Sequence, residues 1–248
     1  MRRILAIGNS FSEDATYFLH EIGQEGGVEN EVINLYIGGC SLERHWRNIE
    51  QNAREYQFQL NGRKTDRYVS IKEILDERKF DVIVTHQASY DSGWEDTYEP
   101  FLRLILEYLR NQSEAAIFLN QTWAYEKDST HGNFMRYNRN QQEMFQALKK
   151  AYANAAQRHG LPLIKSGEAI QKLRETSFFN SGSRSITRDG FHLNYLYGRY
   201  AVALLWAKEL MGVDIMANDF IPHIDFMQFE NADSQILKTI KQIVVETT

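Results

Sequence analysis

Ser10, Asp189 and His192 are the residues whose types and spacing could do chemistry together. Ser10 stands in Gly8-Asn9-Ser10-Phe11-Ser12, after a β-rich run and ahead of a helical one. A hydroxyl there projects from a strand end, with its backbone N–H in the positive field of a helix N-terminus. Serine is barely ionised at neutral pH and needs a neighbouring base to become a nucleophile. Asp189-Gly-Phe-His192 can supply one, because this spacing in a turn or helix start sets both side chains on one face. The carboxylate then holds one imidazole nitrogen and leaves the other for a serine. Each half also has a plainer reading. Ser10 or Ser12 serves equally well as a helix N-cap, and an Asp-x-x-His pair arises equally as a surface Asp beside a half-buried His.

The surrounding elements must bring residues 10 and 189–192 together. Arg3–Gly8, Glu31–Gly38, Asp81–His86, Ala115–Thr122 and Leu161–Lys165 read as strands. Helical periodicity fills Asp14–Gly26, Glu99–Asn111, Asn138–His159 and Leu196–Met211. Shorter helices start at Ser41 and behind the capping-box pattern Ser70-Ile-Lys-Glu73. Asp81–His86 is nearly all β-branched, as expected of a strand buried on both faces. This alternation predicts an α/β fold, a three-layer α/β/α sandwich around a parallel sheet of about five strands in flavodoxin-like order. Residues 1–212 form that domain. Residues 213–248 break the pattern and read as an extension packed on it, ending in a helix near Ser234–Val245. Its apolar residues Ile215, Phe220, Ile221, Phe226 and Met227 either cover the domain or meet a second subunit of a homo-oligomer. In open α/β sheets ligands bind beyond the carboxyl ends of the strands, and Ser10, Gly39, Gln87 and Trp123 all follow such ends.

Taken together, the early Gly-Asn-Ser and the late Asp-Gly-Phe-His-Leu-Asn resemble the first and last sequence blocks of the SGNH (GDSL-like) hydrolase superfamily. Gly-Gly-Cys-Ser-Leu at 38–42, His-Gln-Ala-Ser at 86–89 and Gln-Thr-Trp-Ala-Tyr at 121–125 are similar to a bacterial subgroup classed as a domain of unknown function. The resemblance implies a Ser10–His192–Asp189 triad and ester hydrolysis through an acyl-enzyme. It also implies an oxyanion hole of three donors: the N–H of Ser10, the N–H of a glycine after the second strand, and an amide side chain after the third. The glycine maps onto Gly39, with Gly38 the other register. The superfamily's usual Gly-x-Asn-Asp is missing, so Gln87 takes the amide role, with His86 its rival; either residue reads equally well as a strand-end hydrogen-bonder. Asn9 serves the turn. Trp123 and Tyr125 either wall a substrate pocket or belong to the core, and His131 lies solvated in a polar loop.

Composition removes several other classes. A net charge of −5 without a Lys/Arg stripe lacks the footprint of a nucleic-acid binder. The longest apolar runs are strand-sized, which predicts no membrane span. Cys40 is the single cysteine, so no internal disulfide or thiolate zinc cluster forms, and a lone Cys is usually a small buried hydrophobe. No apolar leader precedes the first strand, which predicts a cytoplasmic protein, a trimmed leader being the alternative. No metal-protease or nucleotide-binding motif appears, and the expected chemistry uses no cofactor and no metal. The expectation is a serine esterase acting on a short acyl group, acetyl as the simplest fit, on a small-molecule or oligosaccharide ester. A metal-dependent hydrolase and a non-catalytic carbohydrate-binding protein of the same fold are the alternatives.

Overall fold

The computed structural model describes residues 1–180, 182, 184–224 and 231–247; Phe226 and Met227 of the C-terminal extension lie outside them. The chain opens with β1 (Arg2–Gly8), α1 (Ser10–Thr16), α2 (Leu19–Glu25), β2 (Asn30–Tyr36) and α3 (Leu42–Gln51). β3 (Tyr56–Leu60), β4 (Arg63–Val69), α4 (Ile71–Glu77), β5 (Val82–Thr85), α5 (Phe101–Gln112) and β6 (Ala116–Asn120) follow. The last elements are α6 (Gln141–His159), β7 (Leu163–Ile164), α7 (Ser166–Glu175), α8 (Ser177–Asn180), α9 (Tyr197–Met211) and α10 (Ser234–Glu246).

One sheet of seven strands runs in the order β4-β3-β2-β1-β5-β6-β7. The five expected strands are its parallel part, β2-β1-β5-β6-β7, in flavodoxin order. β1 and β5 lie at its centre, and their Ile4–Ile7 and Val82–Thr85 are fully buried, as strands covered by helices on both faces must be. The two additional strands correct the expected count. They form an antiparallel hairpin on the β2 edge, turned by Asn61 and Gly62 at φ 48° and 74°. Two consecutive left-handed residues are what a type I′ hairpin turn needs, and Asn-Gly supplies them with least strain. A Cβ at residue 62 would also lie 2.1 Å from the Tyr17 carbonyl oxygen. The outer strand β4 is largely exposed and charged (Arg63, Lys64, Asp66, Arg67), which discourages pairing with another chain.

α3 packs against α5, while α1, α2 and α7 pack against α9. α9 is apolar nearly all round and almost wholly buried, so it needs cover on its outer side as well. α10 provides it, laying Ile236, Leu237, Ile240, Ile243 and Val244 inward, with Lys208 of α9 hydrogen-bonded to the Thr247 carbonyl at 3.2 Å. Among the described residues, no helix is long and apolar enough to cross a membrane.

Candidate active site

The turn between β1 and α1 is shaped by Asn9. Its backbone is extended (φ −140°, ψ −154°), and its Oδ1 accepts the Phe11 N–H at 3.0 Å as the N-cap of α1. Its Nδ2 donates to the Cys40 carbonyl at 3.0 Å, tying the turn to the loop after β2. His86 Nε2 lies 3.1 Å from the same Oδ1. Because Asn9 caps the helix, the hydroxyl of Ser10 is left over, and it lies 2.8 Å from His192 Nε2.

Asp189 and His192 sit on a loop bent by Gly190 at φ 90°, where a Cβ would crowd Ser129 at 3.1 Å. Asp189 Oδ2 is 2.6 Å from His192 Nδ1, and Asp189 Oδ1 accepts the backbone N–H groups of His192 (2.8 Å) and Phe191 (3.2 Å). Burial pushes this carboxyl's pKa up, but the bonds from the His192 imidazole, the His192 N–H and the Phe191 N–H outweigh it and hold the pKa below the ordinary value. An anionic acceptor on Nδ1 assigns the ring proton to that nitrogen and turns Nε2 toward Ser10 as acceptor. Phe191 stacks obliquely on the His192 ring, with centroids 4.1 Å apart.

Gly39 occupies the third position of the turn Ile37–Cys40, closed by Cys40 N–H to the Ile37 carbonyl at 3.2 Å. Its φ of 62° is the left-handed value that a type II turn requires there. Gly39 is exposed beside the Ser10 turn, and among the described residues no hydrogen bond takes up its N–H or that of Ser10. Tyr90 braces the loop, donating its hydroxyl to the Gly39 carbonyl at 3.1 Å.

Three expectations change. Gln87 is buried, and its Nε2 is spent on the Thr97 carbonyl (3.0 Å) and hydroxyl (3.1 Å). Its Oε1 accepts from Leu42 N–H (3.0 Å) and Ala88 N–H (2.8 Å), so this amide staples loops together and offers no free donor to an oxyanion. Its rival His86 is equally buried and turned to Asn9; burial lowers its pKa to about 4. Trp123 is completely buried and belongs to the core: its ring stacks on Phe11 at 4.2 Å, and its indole N–H donates to the Phe191 carbonyl at 2.8 Å. Thus it supports both α1, which carries Ser10, and the loop that carries His192. Tyr125 is buried too, bonded to Ser89 at 2.8 Å. His131 is half-buried between the rings of Tyr125 (4.7 Å) and Phe191 (4.9 Å). Burial, then the nearby His192, lower its pKa against the opposing pull of Asp189.

Cys40 closes the Gly39 turn and is buried, its thiol pushed up to about 12 by that burial, which disfavours a thiolate nucleophile. Two residues without a motif signature in the sequence, Asp14 and Arg188, meet beneath the Asp189–His192 loop. Asp14 is a charged residue inside a helix's apolar face, and that was its one available signal. Among the described residues, no group of three His, Cys, Asp or Glu side chains is arranged to hold a metal ion.

Residues 3–241 match the family model described as a domain of unknown function, DUF4886. A DUF4886 family protein from Bacteroides uniformis is 35% identical, with a TM-score of 0.90 over 99% of this chain and 93% of that one. More distant likenesses concern the fold alone. A putative SGNH hydrolase from Slackia heliotrinireducens is 21% identical, with a TM-score of 0.57 over 85% of this chain and 99% of that one. The acetylxylan esterase Axe2 from Geobacillus stearothermophilus is 13% identical, with a TM-score of 0.57 over 84% and 94%. Comparison with curated proteins gives no match. The chain belongs to the DUF4886 family, and its fold is that of the SGNH hydrolases.

Proposed function

We propose that the chain is a serine esterase that removes a short acyl group, acetyl in the simplest case, from a carbohydrate or similar small alcohol. The observation that carries this reading is the relay Asp189–His192–Ser10, with contacts of 2.6 and 2.8 Å. Ser10 Oγ attacks the ester carbonyl carbon while its proton passes to His192 Nε2. The resulting oxyanion lies against the free N–H groups of Ser10 and Gly39. Asp189 holds the imidazole's orientation and stabilises its charged form. The bond from carbon to the alcohol oxygen then breaks, and that oxygen takes the proton from Nε2. Water repeats the sequence: its proton goes to Nε2, the acyl carbon leaves Oγ as a carboxylic acid, and Ser10 regains its proton.

The carbohydrate side rests on fold likeness to an acetylxylan esterase, together with the polar and aromatic loops that follow β5 and β6. In that esterase, a serine variant and an aspartate variant are catalytic mutants, the two residue types proposed here at 10 and 189.

The test is hydrolysis of 4-nitrophenyl acetate and butyrate and of acetylated xylooligosaccharides, with Ser10→Ala and a chelator in parallel. Acetate turnover should survive the chelator and fall by at least about 10³-fold in Ser10→Ala. Equal rates for the two proteins would sink the reading. A rate abolished by the chelator would favour a metal-dependent hydrolase instead.

A further inference from the structure

Asp14 lies four residues beyond Ser10, one turn along α1, and is completely buried. Its carboxylate takes four hydrogen bonds. Oδ1 accepts from Arg188 Nη1 (2.9 Å) and Arg199 Nε (2.8 Å). Oδ2 accepts from the Leu193 N–H (2.9 Å) and again from Arg188 Nη1 (3.2 Å). The identity of these partners matters. Arg188 immediately precedes Asp189, and Leu193 immediately follows His192.

The two flanks also close on each other. Arg188 N–H donates to the His192 carbonyl at 2.9 Å, its guanidinium bonds the Leu193 carbonyl, and Thr187 pairs with Leu193 as an antiparallel bridge. Asp189 to His192 is therefore a short loop pinched at its neck, and Asp14 grips the neck from both sides. Arg199 anchors the same carboxylate to α9, with its guanidinium over Tyr17 (4.2 Å) and Tyr195 (4.8 Å).

Resting on the esterase reading, we propose that Asp14 is a positioning residue of the hydrolytic site. It locks the helix that carries the nucleophile to the loop that carries its base. Ser10 and His192 are 182 residues apart in the chain, so their contact depends on how the two supports dock. Without Asp14 the loop keeps its own internal bonds but loses its link to α1. An isosteric amide does not substitute, because a carboxylate only accepts, whereas an amide would turn its NH₂ toward one pair of the N–H donors. A misplacement of about 1 Å between reacting groups costs on the order of 10² in rate. The demand falls on turnover, because Asp14 is buried beneath the loop and touches no substrate.

The experiment compares the full-length protein with Asp14→Asn and with Arg188→Gln, the latter altering a partner that is partly exposed. Two readouts are taken on samples whose near-ultraviolet circular dichroism matches the parent. In 4-nitrophenyl acetate hydrolysis, kcat should fall about 10²-fold in Asp14→Asn and about tenfold in Arg188→Gln, with KM within twofold. In long-range ¹H–¹⁵N spectra of the histidine rings, His192 (identified by its loss in His192→Gln) should be a fixed Nδ1–H tautomer in the parent and a mixture in both variants. The spectrum is read without substrate, so it tests the positioning even if the esterase reading fails in the Ser10→Ala comparison. A folded variant that keeps the parent tautomer overturns the proposal whatever its rate, and so does an unchanged kcat. If Asp14→Asn does not fold, Arg188→Gln alone decides by the same two readouts.

Discussion

A serine opening a helix has two competing uses, as cap and as nucleophile; Asn9 caps α1 itself, and the Ser10 hydroxyl is left to His192. Its three side-chain contacts, to Phe11, Cys40 and His86, also hold the turn against the loop of Gly39. Among the described residues, no hydrogen bond takes up the N–H groups of Ser10 and Gly39, which follow the neighbouring strands β1 and β2. Gln87 illustrates the opposite outcome. It follows its strand where an oxyanion donor is expected, yet all its bonding capacity is taken by Leu42, Ala88 and Thr97. Gln87→Ala should therefore cost stability, about 1–3 kcal/mol for the buried groups left unpaired. Its kcat on 4-nitrophenyl acetate should stay within a few-fold of the parent. A fall of about 10²–10³ in turnover without loss of stability would instead mark Gln87 as an oxyanion donor.

Between elements, Trp123 in the loop after β6 does the work of a shim. One face supports Phe11 of α1, and the indole N–H holds the carbonyl of Phe191, next to His192. Trp123→Phe keeps a ring for stacking and deletes the N–H. A loss of about 1 kcal/mol in urea unfolding is expected from the missing hydrogen bond. A several-fold drop in kcat should accompany it as the Phe191–His192 segment loosens. Unchanged kcat at reduced stability would confine Trp123 to the core. The β3–β4 hairpin stands farther from the chemistry, extending the sheet by way of β2, whose end leads into the Gly39 loop.

For the molecule as a whole, two neutral imidazoles buried behind the site tie stability to pH. Burial lowers His86 to about 4; burial, then His86 and Arg44, lower His45 to about 3. Both start from an unfolded value near 6.5, so the unfolded chain binds more protons than the folded one below that pH. The stability they contribute is fully present above pH 6.5 and drains away as pH falls toward 4 and then 3. Each group is worth on the order of a few kcal/mol across that span. Thermal unfolding followed from pH 7 to pH 4.5 should show a falling Tm, and His86→Asn should flatten the slope. An identical slope in that variant would remove His86 from the account.

The five parallel strands, their order and most of the helices between them were legible in the sequence, because burial on two faces writes β-branched runs and helical periodicity directly into residue order; the one helix expected over Asp14–Gly26 is instead the pair α1 and α2. So were the candidates Ser10, Asp189 and His192, since turn chemistry and short-range spacing are local. The hairpin was equally local, and Asn61-Gly62 between two strand-like runs was the readable signal that went unused. The remaining features were decided only by tertiary structure. Whether Gln87 faces an oxyanion or Thr97 depends on a loop ten residues away. Whether Trp123 lines a pocket or supports Phe11 depends on how the loop after β6 meets α1. The bonds of Asp14 to both flanks of the Asp189–His192 loop join positions 174 and 179 residues apart. Such bonds leave no periodicity or spacing in the chain, because nothing local requires them: their partners are chosen by the packing of whole elements.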